Sequence, residues 1–482
     1  MPNFETVVVA DDSRHAAIAR HLAAMIDAGT LRPGDKVPSV RQTAKLHGVA
    51  VGTVLHAFRV LEADGRIVAR PQSGYYVRAV AKPLPEPKGS TPSRRAERPT
   101  VAQMVIRMSE LSVPDVVPLG MASPSPDCLP TKHLSRISAA IGRKTGRGYD
   151  SYDEPPGCRE LRVQIARQYM DVGCGIGPDD ILTTCGCQEA LALCLRAVGK
   201  PGGVVAIDSP AYFGHLQTIE LLGMKAVELP TDPRTGVDLA ALGKLLATNK
   251  KVTACLVGTN VHNPLGFVMP DENKRKLVEL LAEYDVPFIE DDAYGDLAFG
   301  DTRPGVCKSY DTAGRVLLCS SFSKTLSPGA RVGWCAPGRY MEQIKRLKFC
   351  STVATPSLPQ LAIADFLAGG HYTRHLRKLR ATYETRVRTM GDLICRHFPA
   401  GTRATRPVGG HVLWVELPGH VDSVKLFEAA GAEKISIAPG PMFSSGNGYR
   451  NCVRINCSAP IDARVEAAIA TLARLMSGPL PR

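Results

Sequence analysis

From residue 112 onward, short apolar runs alternate with amphipathic helical stretches, and this alternation leaves few folds open. The clearest runs are VVAID (204–208), TACLVGT (253–259), PFIED (287–291) and RVLLCSS (315–321). Each is short, rich in aliphatic residues, and followed by a polar or Gly/Pro-containing segment. A strand that is apolar on both faces must be covered on both, and helices that connect parallel strands provide that cover. The pattern predicts an α/β domain with a mostly parallel sheet over 112–482.

Ahead of it lies a stretch that cannot build a core. Residues 79–111 open with Pro83, Pro85, Pro87, Pro92 and Pro99 among charged and small polar residues, a composition that favours extended chain and predicts a linker. The first 78 residues differ again, with dense helical periodicity. The chain is therefore expected to be multidomain, as its 482 residues also require. The 14 cysteines form no C-x-x-C pair, which fits a reducing compartment better than disulfides or zinc. There is no apolar stretch of the ~18 residues that a membrane span needs. The opening MPNFETVVVADDSRH lacks the basic-then-apolar start of a signal peptide. A cytoplasmic chain with no metal and no membrane association is expected.

In the first zone, Ile18, Leu22, Met25 and Ile26 share a helical face behind a cap at Asp12 or Ser13. Ser39 sits where an N-cap belongs, Val40, Thr43, Ala44 and Leu46 follow on a second short helix, and Gly48 ends it. A third helix runs from Ala50 to Asp64 with Val54, Ala57, Phe58 and Leu61 inward. RIVAR and YYVRA, around Pro71-Gln72-Ser73-Gly74, then read as a hairpin. Two helices joined by a tight turn and followed by a wing form a winged helix-turn-helix (α+β), a major-groove reader. A small helical lid or dimerisation piece is the alternative. The net charge is +13 overall but only +3 over residues 1–78, so pattern rather than charge carries the DNA argument.

The string GTLRPGDKVPSVRQTAKLHGVAVGTVLHAFRVLEADGRIVARPQSGYYV resembles the GntR family signature almost throughout. The resemblance implies that Arg41 contacts phosphate or a base edge, that Thr53 and His56 face the groove, and that Gly74 lets the wing approach the minor groove. Ala50 and Val51 depart from the family's usual Ser-Arg, and Val51 offers at most a contact to a thymine methyl.

SSFSKTLSPGARVGW (320–334) follows directly on the run VLLC. A lysine at a strand end among hydroxyl residues, with Pro-Gly and an arginine after it, suits a Schiff-base amine beside a phosphate. Lys324 is the nucleophile, Ser321 and Ser323 offer hydroxyls, and Arg331 a two-pronged clamp. This string resembles the class I/II aminotransferase motif, and further elements appear in that family's order. They are PLGMASPSPDCLP (118–130), YDEPPGCRELR (152–162), TTCGCQEALALCL (183–195), DSPAYFG (208–214), TNVHNPLG (259–266), IEDDAYGD (289–296) and NCVRINCS (451–458).

The resemblance implies a fold-type I transferase domain, with a smaller C-terminal α+β subdomain, that binds pyridoxal 5′-phosphate (PLP). It makes Asp291 the partner of the pyridinium nitrogen, Tyr294 and Asn263 the partners of the ring oxygen, and Tyr212 the stacking ring. Gly186, Cys187 and Gln188 become the phosphate turn at a helix start. Tyr152 would reach the phosphate of a neighbouring subunit, implying a homodimer. Arg454, aided by Asn263, would hold a ligand carboxylate, and the segment around Gly120 would form the lip of the pocket.

A GntR-type head on an aminotransferase-type body resembles the MocR group of regulators. The combination implies a transcription regulator that binds operator DNA and senses PLP, an amino acid or an amine. Two alternatives stay open: a working aminotransferase with a regulatory head, and a PLP-stabilised dimeriser for DNA without a ligand response. No residue needed for transamination is missing, so the sequence permits turnover without demonstrating it.

Overall fold

The computed structural model describes residues 14–63, 65–70, 73–78, 84–93, 95–145 and 149–478. The expected cap at Asp12 or Ser13, the helix end at Asp64, Pro71-Gln72 at the hairpin and Pro83 lie outside them. The chain divides into two compact units, separated between Pro83 and Leu84.

The smaller unit carries α1 (Arg14–Asp27), α2 (Val40–His47), α3 (Val51–Ala63), β1 (Ile67–Arg70) and β2 (Gly74–Val77). Its core is Ile18, Leu22, Val54, Ala57, Phe58 and Leu61, with Ile67 and Val77 from the antiparallel hairpin. Phe58 meets Tyr75 edge-on at 4.9 Å, tying α3 to the wing. The start of α2 is a reciprocal capping box. The Gln42 N–H donates to Ser39 Oγ at 3.2 Å, and the Ser39 N–H donates to Gln42 Oε1 at 3.0 Å. Thr43 and Ala44 are buried while Leu46 is 77% exposed, because α2 is only two turns long and buries a single narrow stripe.

The larger unit is built on a seven-stranded sheet. Its strands in chain order are β3 (Leu182–Thr184), β4 (Val204–Ile207), β5 (Lys225–Glu228), β6 (Val252–Gly258), β7 (Phe288–Asp291), β8 (Val316–Ser321) and β9 (Gly333–Ala336). Across the sheet they run β3-β9-β8-β7-β6-β4-β5. The central strands are parallel; β9 alone runs antiparallel to both of its neighbours. All four apolar runs picked out in the sequence are strands of this sheet, and their central residues are buried on both faces. A second, antiparallel sheet follows in the order β10 (Arg403–Ala404), β11 (Val412–Glu416), β13 (Cys452–Asn456) and β12 (Ala438–Pro439). Three helices bear on the site: α4 (Cys187–Val198), α5 (Phe213–Leu221) and the long α6 (His371–His397).

Most of the described part of the segment expected as a linker packs onto this unit. Glu97 pairs antiparallel with Ala226 at the edge strand β5, and Ser90 and Thr231 exchange two hydrogen bonds. The Ala404 N–H donates to the Pro85 carbonyl, and Glu86 pairs with Arg234. Residues Ala102–Glu110 form a helix that buries Val105 and Met108. A proline-rich segment builds no core of its own, but its free carbonyls can complete the unpaired edges of two sheets. Among the described residues no helix is long and apolar enough to cross a membrane.

Phe58 has no exposed surface and sits at the centre of the smaller core. Phe58→Ala is expected to cost about 3–5 kcal/mol. Calorimetry of the full chain should show the smaller unit melting earlier while the main transition holds its position.

Candidate functional site

One cavity gathers residues that lie far apart in the sequence. It is lined at its base by Cys187, Gln188, Tyr212, Asn263, Asp291, Tyr294, Ser321, Ser323, Lys324 and Arg331. The reason is topological. Side chains leaving the C-terminal ends of neighbouring parallel strands converge on one edge of the sheet. Asp291 ends β7, Ser321 ends β8, and the turn after β3 delivers Gly186.

Lys324 directs its amine into this space. Nζ donates to the Ala122 carbonyl at 2.7 Å and lies 5.5 Å from the centroid of the Tyr294 ring. Burial, and then the charge of Arg454, bring the amine down to about 8. A larger share of neutral, nucleophilic amine is therefore present near neutral pH than a solvated lysine has.

Among the described residues, Asp291 is the one carboxylate lining the cavity. Its Oδ2 meets His215 Nε2 at 2.8 Å, and its Oδ1 accepts from the Ala293 N–H at 3.0 Å and from the Cys187 thiol at 3.7 Å. Burial would raise this carboxyl, but the bond and charge of His215, with the other two donors, hold it below the ordinary range. It stays ionised and faces the cavity. Tyr212, ahead of α5, stands beside it, its ring 5.4 Å from His215. The Tyr294 hydroxyl is buried with no partner among the described residues.

At the other end, α4 begins without a side-chain cap. Its free N–H groups and positive dipole end make an anion cradle. Gly186 has φ +86°, and a Cβ there would come within 2.5 Å of the Arg331 guanidinium. Arg331 donates to the Cys185 carbonyl at 2.9 Å and itself holds φ +53°, a strained value for a residue with a side chain. The Gln188 side chain has a further part of its own. It donates to Gly214 O at 2.9 Å and Thr218 Oγ1 at 2.8 Å, tying α4 to the helix that follows Tyr212.

Arg454, on β13, is fully buried. It donates to Asn263 Oδ1 at 3.1 Å and to the Gly120 carbonyl at 2.6 Å, and its Nε has no partner among the described residues. Phe213 and Phe443 flank it, at 5.4 and 5.1 Å from ring centroid to guanidinium carbon. Among the described residues no carboxylate pairs with it. A buried guanidinium with only neutral partners has a strong unmet affinity for an anion.

Tyr152 is not part of this cavity in its own chain and is 76% exposed. In the smaller unit Arg41 and His56 are exposed and Thr53 is half-buried. The His56 ring lies 4.0 Å from that of His15. Gly74 opens β2 of the wing.

Sequence reasoning missed His215 and the Ala122 carbonyl. His215 had a signal, since it stands three residues after Tyr212 and so returns to the same helical face. The carbonyl had none.

Because of the lowered amine, labelling of Lys324 by an aldehyde plus borohydride should rise with pH around a midpoint of about 8. The midpoint is read by peptide mass spectrometry, and one near that of a free lysine would remove the electrostatic account.

The model for aminotransferase class I and II matches residues 121–472, and that for bacterial regulatory proteins of the gntR family matches 14–77. The HTH-type transcriptional regulator YjiR of Escherichia coli K12 is 39% identical over 458 residues, 95% of this chain and 97% of that protein. YdcR of the same organism, also named an HTH-type transcriptional regulator, is 39% identical over 464 residues, 96% of this chain and 99% of its own. Among solved structures, the α-aminoadipate aminotransferase LysN of Thermus thermophilus superposes with a TM-score of 0.71. It is 26% identical and covers 77% of this chain and 94% of its own.

Proposed function

The chain belongs to the aminotransferase class I and II family and carries a gntR-family head, and on that footing we propose that it is a DNA-binding transcription regulator whose larger unit senses an amino acid or amine through bound PLP. The observation that carries the sensing half is Arg454, a buried cation whose partners are all neutral. A purely structural cofactor site has no use for it; a ligand carboxylate satisfies it.

The residues present fit the cofactor. Its phosphate would be held by Arg331, the N–H groups at the start of α4, and the hydroxyls of Ser321 and Ser323. The space beside Arg331 is the one that a Cβ at Gly186 would fill. The unpartnered Tyr294 hydroxyl and the Asn263 amide suit the ring oxygen, Asp291 the ring nitrogen, and Tyr212 the ring face. When bound, PLP supplies an aldehyde that condenses with amines and a protonated ring that draws electrons.

The chain's own part is to position and to hold charge. His215 keeps Asp291 ionised, and Lys324 presents an amine that loses its proton near neutral pH. Arg454 and Asn263 orient the ligand by its carboxylate. Lys324 would hold the cofactor's aldehyde, and an incoming amine would compete with it for that carbon. The Ala122 carbonyl, which accepts from the Lys324 amine at 2.7 Å, would receive the released amine and so couple the exchange to the lip. By linkage, a ligand that prefers one arrangement of the larger unit biases how two heads address DNA. Exposed Tyr152 supports a homodimer with shared sites, and a DNA target supports a cytoplasmic location. In the head, Arg41, Thr53, His56 and the wing at Gly74 are the proposed DNA contacts.

Lys324 can also shuttle protons, which keeps transamination as a second reading. Absorbance titration of the holoprotein with amino acids and amines, followed for hours, separates the two. A shift that persists supports sensing. Progressive conversion to the aminated cofactor, reversed by a 2-oxo acid, assigns turnover.

Lys324→Ala should abolish the lysine-bound cofactor band; a retained band would remove Lys324 from its role. Arg331→Ala and Gly186→Ala should weaken cofactor retention roughly 10- to 100-fold. Arg454→Ala should leave the cofactor bound and weaken the ligand response by about 10-fold or more. Arg41→Ala should reduce binding to duplex DNA, and its salt dependence, without altering the spectrum.

A further inference from the structure

Two buried polar atoms near the amine of Lys324 are left over once cofactor and carboxylate are accounted for. His411 Nε2 and Tyr383 Oη both belong to residues with no exposed surface, and neither has a partner among the described residues. Their rings are adjacent, with centroids 4.9 Å apart. The His411 ring lies 5.7 Å from that of Tyr294, over which the Lys324 amine sits. The lip strings these groups in order. The Gly120 carbonyl takes Arg454, the Ala122 carbonyl takes Lys324, and the Ser123 carbonyl takes the Asn456 amide that also meets His411. His411 is thus one step along the lip from the reactive amine.

Its hydrogen-bonding character can be derived. Asn456 Nδ2 donates to the Pro118 and Ser123 carbonyls, so Oδ1 is the atom that faces the Ser458 N–H at 3.1 Å and His411 Nδ1 at 3.0 Å. Nδ1 must therefore carry the ring proton. Burial, and then the charge of Lys324, push this imidazole down to about 3, so the ring is neutral and Nε2 is bare. A bare nitrogen and a phenolic hydroxyl, both buried, make an acceptor beside a group that can accept or donate. A carboxylate would set lone pairs against Nε2. An apolar group would leave both atoms unpaired.

We propose that His411 and Tyr383 form a side-chain subsite of the ligand cavity, and that the ligand is an amino acid whose side chain carries a hydrogen-bond donor, a hydroxyl or an amine. This rests on the amino-acid-sensing reading above and narrows it. Both atoms are already buried and unpaired in the free protein, so only a ligand that carries a donor gains a hydrogen bond there, and that gain falls on the right ligand alone.

The test is absorbance titration of the cofactor-loaded full chain with matched L-amino acid pairs: serine and alanine, homoserine and 2-aminobutyrate, ornithine and norvaline. At least one pair should favour the donor member by about 10-fold or more. Tyr383→Phe deletes a single oxygen that bonds nothing among the described residues, so it is the variant least able to disturb folding; His411→Leu is the second. Each should bring the favoured ratio to within about 2-fold, with the resting cofactor band as the check on folding. Arg454→Ala should weaken both members of the pair alike. Ratios near one for every pair in the native chain overturn the proposal. So does a ratio that survives both variants, which would assign the two groups to a buried water. If no amino acid shifts the spectrum at all, the sensing reading itself has failed.

Discussion

A guanidinium with no exposed surface and only neutral partners is the constraint on which the larger unit turns. Removing a charge from water costs several kcal/mol unless it is matched. Arg454 is matched only in part, by one amide oxygen, one carbonyl and two aromatic edges or faces. The fold tolerates this because β13 and its neighbours bury the residue's stem in the main core. The unmet remainder is what the ligand carboxylate of the proposed reading would relieve. Burial, and then this same charge, lower the Lys324 amine, so Arg454 bears on both the carboxylate site and the nucleophile of the reading proposed above.

The other end of the cavity depends on close backbone approach. The single antiparallel strand, β9, brings Arg331 back from the end of β8 toward the start of α4. A Cβ at Gly333 would come within 2.5 Å of the Gly186 backbone. That crossing lets the guanidinium lie over the turn and bond to the Cys185 carbonyl. Cation, uncapped helix start and hydroxyls then converge on one spot. Asp291 lines the same cavity and is held by its own partners, His215 first among them.

The sensing reading proposed above requires that ligand binding and DNA binding share an equilibrium. The segment 84–111 is informative here. It connects to the head in sequence, yet its described residues are bonded both to the edge of the large sheet at Ala226 and to the second sheet at Ala404. Arg454 belongs to that second sheet, and Tyr212 follows the large one through Ser209, which donates to Thr231. The segment is tied to both sides of the ligand site.

Much of this was readable in the sequence, wherever the information is local. The run VLLC before SSFSKTLSPGAR specifies a strand, a turn and the Lys324–Arg331 spacing, because strand pattern and turn chemistry act over a few residues. The capping box of α2 and the inward face of α3 follow from the same short-range rules. What the tertiary structure decided is which distant groups meet. His215 reaches Asp291 across 76 positions, Arg454 reaches Asn263 across 191, and Tyr383 faces His411 because α6 packs against β11. The docking of 84–111 and the outward turn of Leu46 belong to that class too. Periodicity reports how much of a segment is buried. It does not report against what, and pKa, tautomer and unmet charge all depend on the partner.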